Sequence, residues 1–565
     1  MKMDVVHFQN AIRINHRGFL LNSSKRFVLT ENKTDGMDFT VFAIRNVENI
    51  PVFHGKLKKV LYKGATYYVG DFSEVREDGD YFISAGGYTS RQFVIYNRAY
   101  DNALRIMLEY FTWQRCGHDL GWNGKCHMDD GFIKETGEHI DLSGGYHQSC
   151  DLRKSPGGVS IGVLAMLRFA LKDKSSWGKH LTVDESAWAC DYFVKTIQDS
   201  GAMYNTLNSP FGWEGRVFYK SPAPSSAQWN TTSILATGYI LFKDSDPERA
   251  EKYLAAAKRS WNFMNSDERT NGVYKHPEPF PRGMDPDFFY EQCYKGSSAD
   301  LGYRIQVACD MYRATGDDEY ISNLRDDVKS FVNAIPNGRL AQMIMRNDGS
   351  GRTVLASGTY AWLPGGFIAL CDAYEILGDI DGLGEKLREI ADALCDQANL
   401  NVWGKITPVF TDSDLDTPYG HPAPGQKSKT LRETDNDFIF YDTLPSGEAC
   451  YIRNSEKIAS SVVSSFGIFL ARAAKILGEK KYLDTAQSLL DIIMGANALD
   501  SSHIYGIGYN QAQRHAYGQF FPSTPFIPGA IGTAYETVDV YRSHSEYDMP
   551  YVGMTMYFIS EITSL

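Results

Sequence analysis

One pairing of helices recurs along most of this 565-residue chain and limits what it can fold into. In each copy a stretch of small and apolar residues at helical spacing runs into a Gly/Asp turn and then into a second, amphipathic stretch. Ile305–Ala314 leads through Gly316-Asp317-Asp318 into Tyr320–Ile335, and Phe367–Ile376 leads through Gly378-Asp379 into Leu387–Ala398. Ser460–Leu477 leads through Gly478-Glu479 into Tyr482–Met494, and earlier copies begin at Val159–Leu171 and Ile234–Phe242. Small residues let the first helix approach its neighbours, while the second keeps a polar face for water, so each pair reads as a hairpin with an inner and an outer helix. The apolar segment Val552–Ile559 pairs with Asn102–Trp113 to close the set, which predicts a mainly α fold, an (α/α)6 barrel. An open helical solenoid is the alternative. Irregular intervals filled by long loops favour the ring, and such loops are where binding sites sit.

The N-terminal part has a different texture. Arg26-Phe27-Val28-Leu29, Phe39-Thr40-Val41-Phe42-Ala43-Ile44, Val60-Leu61-Tyr62 and Tyr81-Phe82-Ile83-Ser84 are short runs separated by turn signals such as Asp35-Gly36 and Asp78-Gly79-Asp80. Strands at that spacing predict a small β-sandwich over residues 1–97, with the helical domain over 98–565.

Composition narrows the function. A hydrophobic fraction of 43% with 22% charged residues describes a folded globule and not a disordered chain. The net charge of −12 argues against a nucleic-acid partner. No run of about 18 apolar residues is present to span a membrane. The opening MKMDVVHFQNAIRINHRGF carries no apolar leader core, which predicts a cytoplasmic protein, an expectation that a removed leader would reverse to secretion. Nine cysteines, an odd and sparse set, argue against a disulfide framework and for reduced thiols or a metal site. With 34 Tyr, 31 Phe and 9 Trp, the chain has rings to spare for ligand stacking. Several of them adjoin hydrogen-bonding groups: Trp213 in Phe211-Gly212-Trp213-Glu214-Gly215, Trp229 in Gln228-Trp229-Asn230, Tyr290-Glu291-Gln292, and Trp362 in Thr359-Tyr360-Ala361-Trp362. Rings beside polar groups suit a polyhydroxylated ligand, with Trp213 and Trp362 as candidate substrate contacts, although any single ring serves packing equally well.

Residues 113–154 read WQRCGHDLGWNGKCHMDDGFIKETGEHIDLSGGYHQSCDLRK and hold the densest chemistry. Cys116, Cys126, His127 and His147 offer two thiolates and two imidazoles, the number and kind of ligands that zinc takes tetrahedrally. Their spacing is not that of a zinc finger, so buried cysteines with a hydrogen-bonded histidine remain the alternative, and Cys150, His118 and His139 are competing ligands.

Asp141-Leu-Ser-Gly-Gly-Tyr-His-Gln-Ser-Cys-Asp151 resembles the DVSGGWHDAGD signature of glycoside hydrolase family 9. Gln114-Arg115-Cys116-Gly117 and Cys126-His127 match the QRCG…CH segment of members that carry an N-terminal immunoglobulin-like domain, and Arg13-Ile14-Asn15-His16-Arg17-Gly18-Phe19 resembles that domain itself. Leu490–Asn497 and Ser502–Gly508 are similar to the family's C-terminal "LG-NP…S-VTG-G" stretch. The resemblance implies an immunoglobulin-like domain on an (α/α)6 barrel, hydrolysis of β-glycosidic bonds with inversion, and a structural zinc on Cys116, Cys126, His127 and His147. No organic cofactor is implied. Asp151 matches the family's general base and Lys154 matches its neighbour, whereas Gln148 stands where the family has the first aspartate of the box. An amide orients water but cannot accept a proton. For the general acid, Glu456 precedes the Met494-Gly495 stretch and Glu546 follows it; the family's order selects Glu546. Arg514 and His515, in Gln511–Tyr517, stand in the place of the family's substrate-contacting segment, and Tyr146 is a further candidate sugar contact.

The expected substrate is an oligosaccharide or polysaccharide of the β-glucan, cello-oligosaccharide or β-glucosaminide type. Two other readings stay open. A polysaccharide lyase on the same toroid would survive replacement of Asp151 by Ala, and a non-catalytic carbohydrate-binding protein would bind oligosaccharide without releasing reducing sugar.

Overall fold

The computed structural model describes residues 9–563 except 121–123, 150–151, 153, 174–178, 206–216, 224, 267–297, 335–364, 407–408, 417, 420–428, 435–437, 444–446, 455–459, 512–526 and 533–546. Strands come first, as the alternating runs predict. β1 (Ile12–Arg13), β3 (Arg26–Leu29), β7 (Ala65–Asp71) and β6 (Lys58–Tyr62) form one sheet in that spatial order. β2 (Gly18–Phe19), β10 (Phe93–Ile95), β8 (Gly79–Ala85), β4 (Asp38–Arg45) and β5 (Glu48–Lys56) form the other, with β9 (Tyr88–Thr89) on β8. Period-2 geometry sends Phe39, Val41 and Ala43 of β4 and Tyr81, Ile83 and Ala85 of β8 inward, where they are buried with Phe19, Phe27, Phe72 and Phe93. The result is an immunoglobulin-like sandwich.

From Asp101 the chain is mainly helical, with eight short strands among the described residues between Phe132 and Arg453. Among the described residues, twelve helices of eleven residues or more follow. They are α1 (Asp101–Trp113), α2 (Pro156–Lys172), α3 (Lys179–Thr196), α4 (Ser225–Phe242), α5 (Pro247–Met264), α6 (Ser298–Thr315), α7 (Leu324–Ala334), α8 (Gly365–Leu377), α9 (Leu383–Asn399), α10 (Ser460–Leu477), α11 (Lys480–Ile493) and α12 (Met549–Thr563). The even-numbered helices pack in a closed cycle, α2 on α4, α4 on α6, α6 on α8, α8 on α10, α10 on α12 and α12 back on α2. The odd-numbered helices lie outside them, and α1 packs on α12 to complete the last hairpin. This is the (α/α)6 barrel that the hairpin repeat predicts; a solenoid would leave α12 and α2 apart. Closure depends on two glycines: a Cβ on Gly553 of α12 would lie 2.1 Å from the Gly162 carbonyl oxygen of α2, and one on Gly162 would lie 2.6 Å from the Met549 oxygen.

Two buried polar networks tie the structure together over long sequence distances. Inside the ring, Arg168 of α2 makes paired hydrogen bonds to Asp310 of α6 (2.8 and 2.9 Å) and to Asp372 of α8 (3.1 and 3.2 Å). Arg472 of α10 and Arg313 of α6 each reach Asp372 at 2.9 Å. The aspartates sit between guanidinium groups, which makes their burial tolerable. Between the two domains, Asn15 donates to Asp491 of α11 at 2.8 Å and His16 Nε2 meets Asp500 at 3.0 Å.

Candidate active site and metal-binding loop

The inner helices that carry the candidate chemistry are neighbours: α2 begins just after Asp151 and α12 just after Glu546. Both acids lie outside the described residues, but the chain beside them is placed. Ser149 and Asp548 form an antiparallel bridge, and the Met549 amide donates to the Gln148 carbonyl oxygen at 3.0 Å. Asp151 is two residues after one bridge partner and Glu546 two residues before the other. Gln148 itself is half-buried on this seam.

The loop between α1 and α2 is held by its own backbone. Cys116 N donates to Gly145 O at 2.9 Å and His147 N to Gln114 O at 2.8 Å, so segments 114–116 and 145–147 run antiparallel. Sγ of Cys116, Sγ of Cys126 and a ring nitrogen from each of His127 and His147 all lie within 4.8 Å of one another. A tetrahedral metal with bonds of about 2.3 Å to sulfur and about 2.0–2.1 Å to nitrogen spaces its ligands roughly 3.3–3.8 Å apart, so the donor set fits such an ion with little adjustment. Cys126 Sγ is already 3.1 Å from His147 Nε2. Nδ1 of His127 and Nδ1 of His147 are buried with no hydrogen-bond partner among the described residues. The hydrogen bond from Cys116 holds the Cys126 thiol far below its usual range, whereas burial pushes the Cys116 thiol well above it. The competitors separate: His139 pairs with Asp129 at 2.8 Å and His118 packs edge-on against Trp188. Cys150 lies outside the described residues.

Behind the cluster, Glu185 of α3 is buried and serves both paired segments. Arg115 reaches its carboxylate through Nε (3.1 Å) and Nη2 (2.9 Å), Thr112 donates at 2.7 Å, and the Tyr146 hydroxyl donates to Oε1 at 2.8 Å. Tyr146 is therefore not a sugar contact: it is fully buried, its hydroxyl is taken by Glu185 and its ring packs edge-on against Phe111. Trp229 is likewise buried in α4. Lys154 anchors the other end of the loop, with Nζ donating to Asp130 at 3.0 Å and to the Leu142 carbonyl oxygen. Glu185 and Asp130 carry no motif signal; a glutamate within α3 reads as an ordinary surface charge until α1 and the 145–147 segment pack on it. Trp213, Trp362, Arg514, His515 and Glu456 lie outside the described residues.

The lumen of the ring holds a cavity lined by Leu164, Arg168, Asn230, Tyr303, Gln306 and Tyr557 among others, so the barrel is not packed solid beneath the ends of α2 and α12.

The family model described as glycosyl hydrolase family 9 matches residues 100–520, and the cellulase N-terminal ig-like domain matches residues 7–90. The chain belongs to glycosyl hydrolase family 9. A cellodextrinase from Butyrivibrio fibrisolvens is 22% identical over 531 residues, covering 88% of this chain and 85% of the relative. Endoglucanase D from Acetivibrio thermocellus is 23% identical over 365 residues, covering 58% of this chain and 55% of its own length. Among solved structures, a single mutant of the thermostable endoglucanase from Alicyclobacillus acidocaldarius superposes with a TM-score of 0.66 at 17% identity, covering 99% of this chain and 100% of that one. The family 9 endoglucanase J30 gives 0.67 at 18% identity, with 96% and 99% covered, and a Zn-binding triple mutant of it gives 0.66.

Proposed function

We propose that this glycoside hydrolase cleaves β-linked glucans, short cello-oligosaccharides foremost, by inversion, with Asp151 as general base and Glu546 as general acid. One observation carries the reading: the Ser149–Asp548 bridge, which joins the segments leading to the two acids across the seam between α2 and α12. Inversion requires two carboxyl groups on opposite faces of the sugar, about 6.5–9.5 Å apart, so that a water fits between base and anomeric carbon. In this reading Asp151 takes the proton of that water while Glu546 protonates the departing glycosidic oxygen, so no covalent sugar–enzyme bond forms. Gln148 orients the water through its amide without sharing its proton. The family relatives named cellodextrinase and endoglucanase support a β-glucan over a β-glucosaminide.

The metal that suits the cluster is zinc. Two thiolates and two imidazoles saturate a tetrahedral ion, so its chemistry here would be to cross-link Cys116 to Cys126, His127 and His147, with no open position for substrate. This chain's own residues then hold the loop at its far end, through Lys154 on Asp130 and Leu142.

Asp151→Asn and Glu546→Gln test the assignment. Each is expected to lower kcat on cellotetraose by at least about 1,000-fold, through loss of proton transfer and of charge at the reacting centre, while oligosaccharide binding measured by calorimetry persists. Near-normal turnover in either variant refutes that residue's role, and survival of activity in Asp151→Ala would favour the lyase reading.

A further inference from the structure

Asp500, on the loop after α11, is fully buried although it carries a charge, and most of its partners come from the other domain. His16 Nε2 meets Oδ1 at 3.0 Å, while Oδ2 accepts from the Asn10 amide at 2.8 Å and from Arg91 Nη2 at 2.9 Å. Arg13 stands 3.6 Å away, and Asn510 closes the ring from Asp500's own loop at 3.2 Å. Because His16 Nδ1 accepts from the Tyr509 amide at 3.2 Å, Nε2 carries the hydrogen and donates to the carboxylate. The sandwich thus grips the 500–510 loop from both sides of the imidazole.

That loop is the first rung of a backbone ladder. Tyr505 N donates to Ala530 O at 3.0 Å, Gly529 N donates to Tyr505 O at 2.8 Å, and Ile504 bridges Ile531. Gly532 bridges Tyr547, and Asp548 bridges Ser149. Four separate stretches, 504–507, 529–532, 547–549 and 148–149, are laid edge to edge, and the last two flank the candidate acid and base.

We propose that Asp500 is a positioning residue, through which the immunoglobulin-like domain fixes the ladder that sets the base segment against the acid segment. The proposal rests on the hydrolase reading above for its effect on turnover, and on the ladder alone for its effect on backbone order. Apolar packing of Val28, Tyr67 and Val69 on Val402 and Trp403 also holds the two domains together, but it is non-directional; four donors on one buried carboxylate add a register. Displacing a reacting group by about 1 Å costs up to roughly 100-fold in rate, so a small slip at Asp500 has a large catalytic reading.

The test compares the full-length wild type, Asp500→Asn and Arg91→Ala at a temperature where melting curves show all three folded, using cellotetraose hydrolysis and amide hydrogen exchange. Asp500→Asn is expected to lower kcat roughly 10- to 100-fold with KM within about two-fold, and to speed exchange at Asp548 and Met549 while leaving α5 unchanged. Arg91→Ala, which keeps the carboxylate with His16 and Asn10, is expected to change both in the same direction by less, and carries the test if Asp500→Asn does not fold. The proposal is overturned if the folded variants keep wild-type kcat, or if faster exchange stops at residues 495–511 and never reaches 547–549. A wild type that releases no sugar defeats the hydrolase reading, and the exchange arm still decides the role of Asp500.

Discussion

Replacing Asp491 by asparagine should stabilise the protein in alkali and leave it unchanged or slightly weaker in acid. Asp491 lies on α11 at the domain interface and is 3% exposed. Its Oδ1 accepts from Asn15 and from Gln487, each at 2.8 Å, but Oδ2 has no hydrogen-bond partner among the described residues. Burial raises its carboxyl from the usual 3.8 to about 7, against the opposing pull of Asn15, Gln487, Arg26 and Lys25. The neighbouring Tyr100 hydroxyl is itself pushed up by burial and stays neutral. With the folded value raised, the native state holds a proton that the unfolded chain has released between pH 3.8 and 7, so stability falls as pH rises through that window. At about 1.36 kcal/mol per pH unit the penalty above pH 7 is on the order of 4 kcal/mol. Asparagine removes the charge but leaves its NH2 where Oδ2 had no partner, a cost of about 1–3 kcal/mol. The net gain expected at pH 8 is therefore about 1–3 kcal/mol, with a small loss at pH 4.5. Melting temperatures of wild type and Asp491→Asn across pH 4.5–8 measure it, because all other titrations are common to both proteins. Parallel curves with a constant offset would refute the argument.

Closure of the ring should be unusually sensitive to one methyl group. A Cβ at Gly553 would sit 2.1 Å from backbone, not from a movable side-chain tip, so Gly553→Ala should cost about 3 kcal/mol or more, visible as a lowered melting temperature. Native mass spectrometry should find one zinc per chain, lost in Cys126→Ser and in His127→Ala; retention of the metal in both would reject the four-ligand set. Gln148→Asp should preserve or raise kcat by restoring a second carboxylate beside the water, and a large fall would mean that the amide has its own purpose.

The hairpin order was legible because an inner helix and its outer partner are neighbours in sequence and their composition differs for a local reason: one meets other helices, the other meets water. The same locality made the 113–154 segment readable, since Cys116, Cys126, His127 and His147 fall in a single stretch. Tyr146 misled because a ring in a glycine-rich loop looks available to a ligand, and only the approach of α3 with Glu185 shows it to be consumed. The Arg168–Asp310–Asp372–Arg472 network and the grip on Asp500 were invisible for a different reason. Their members lie on different helices or different domains, and each is an unremarkable charge until the fold brings them together. Asn15, His16 and Asp491 marked a resemblance in the sequence; their physical role is to join the two domains.

Proton NMR of the first products from cellotetraose tests the central claim most directly. Single displacement at the anomeric carbon predicts that the newly formed reducing end appears first as the α-anomer and mutarotates to the equilibrium mixture. First appearance of the β-anomer, or of an unsaturated sugar, would contradict the assignment of Asp151 and Glu546 as base and acid of an inverting hydrolase.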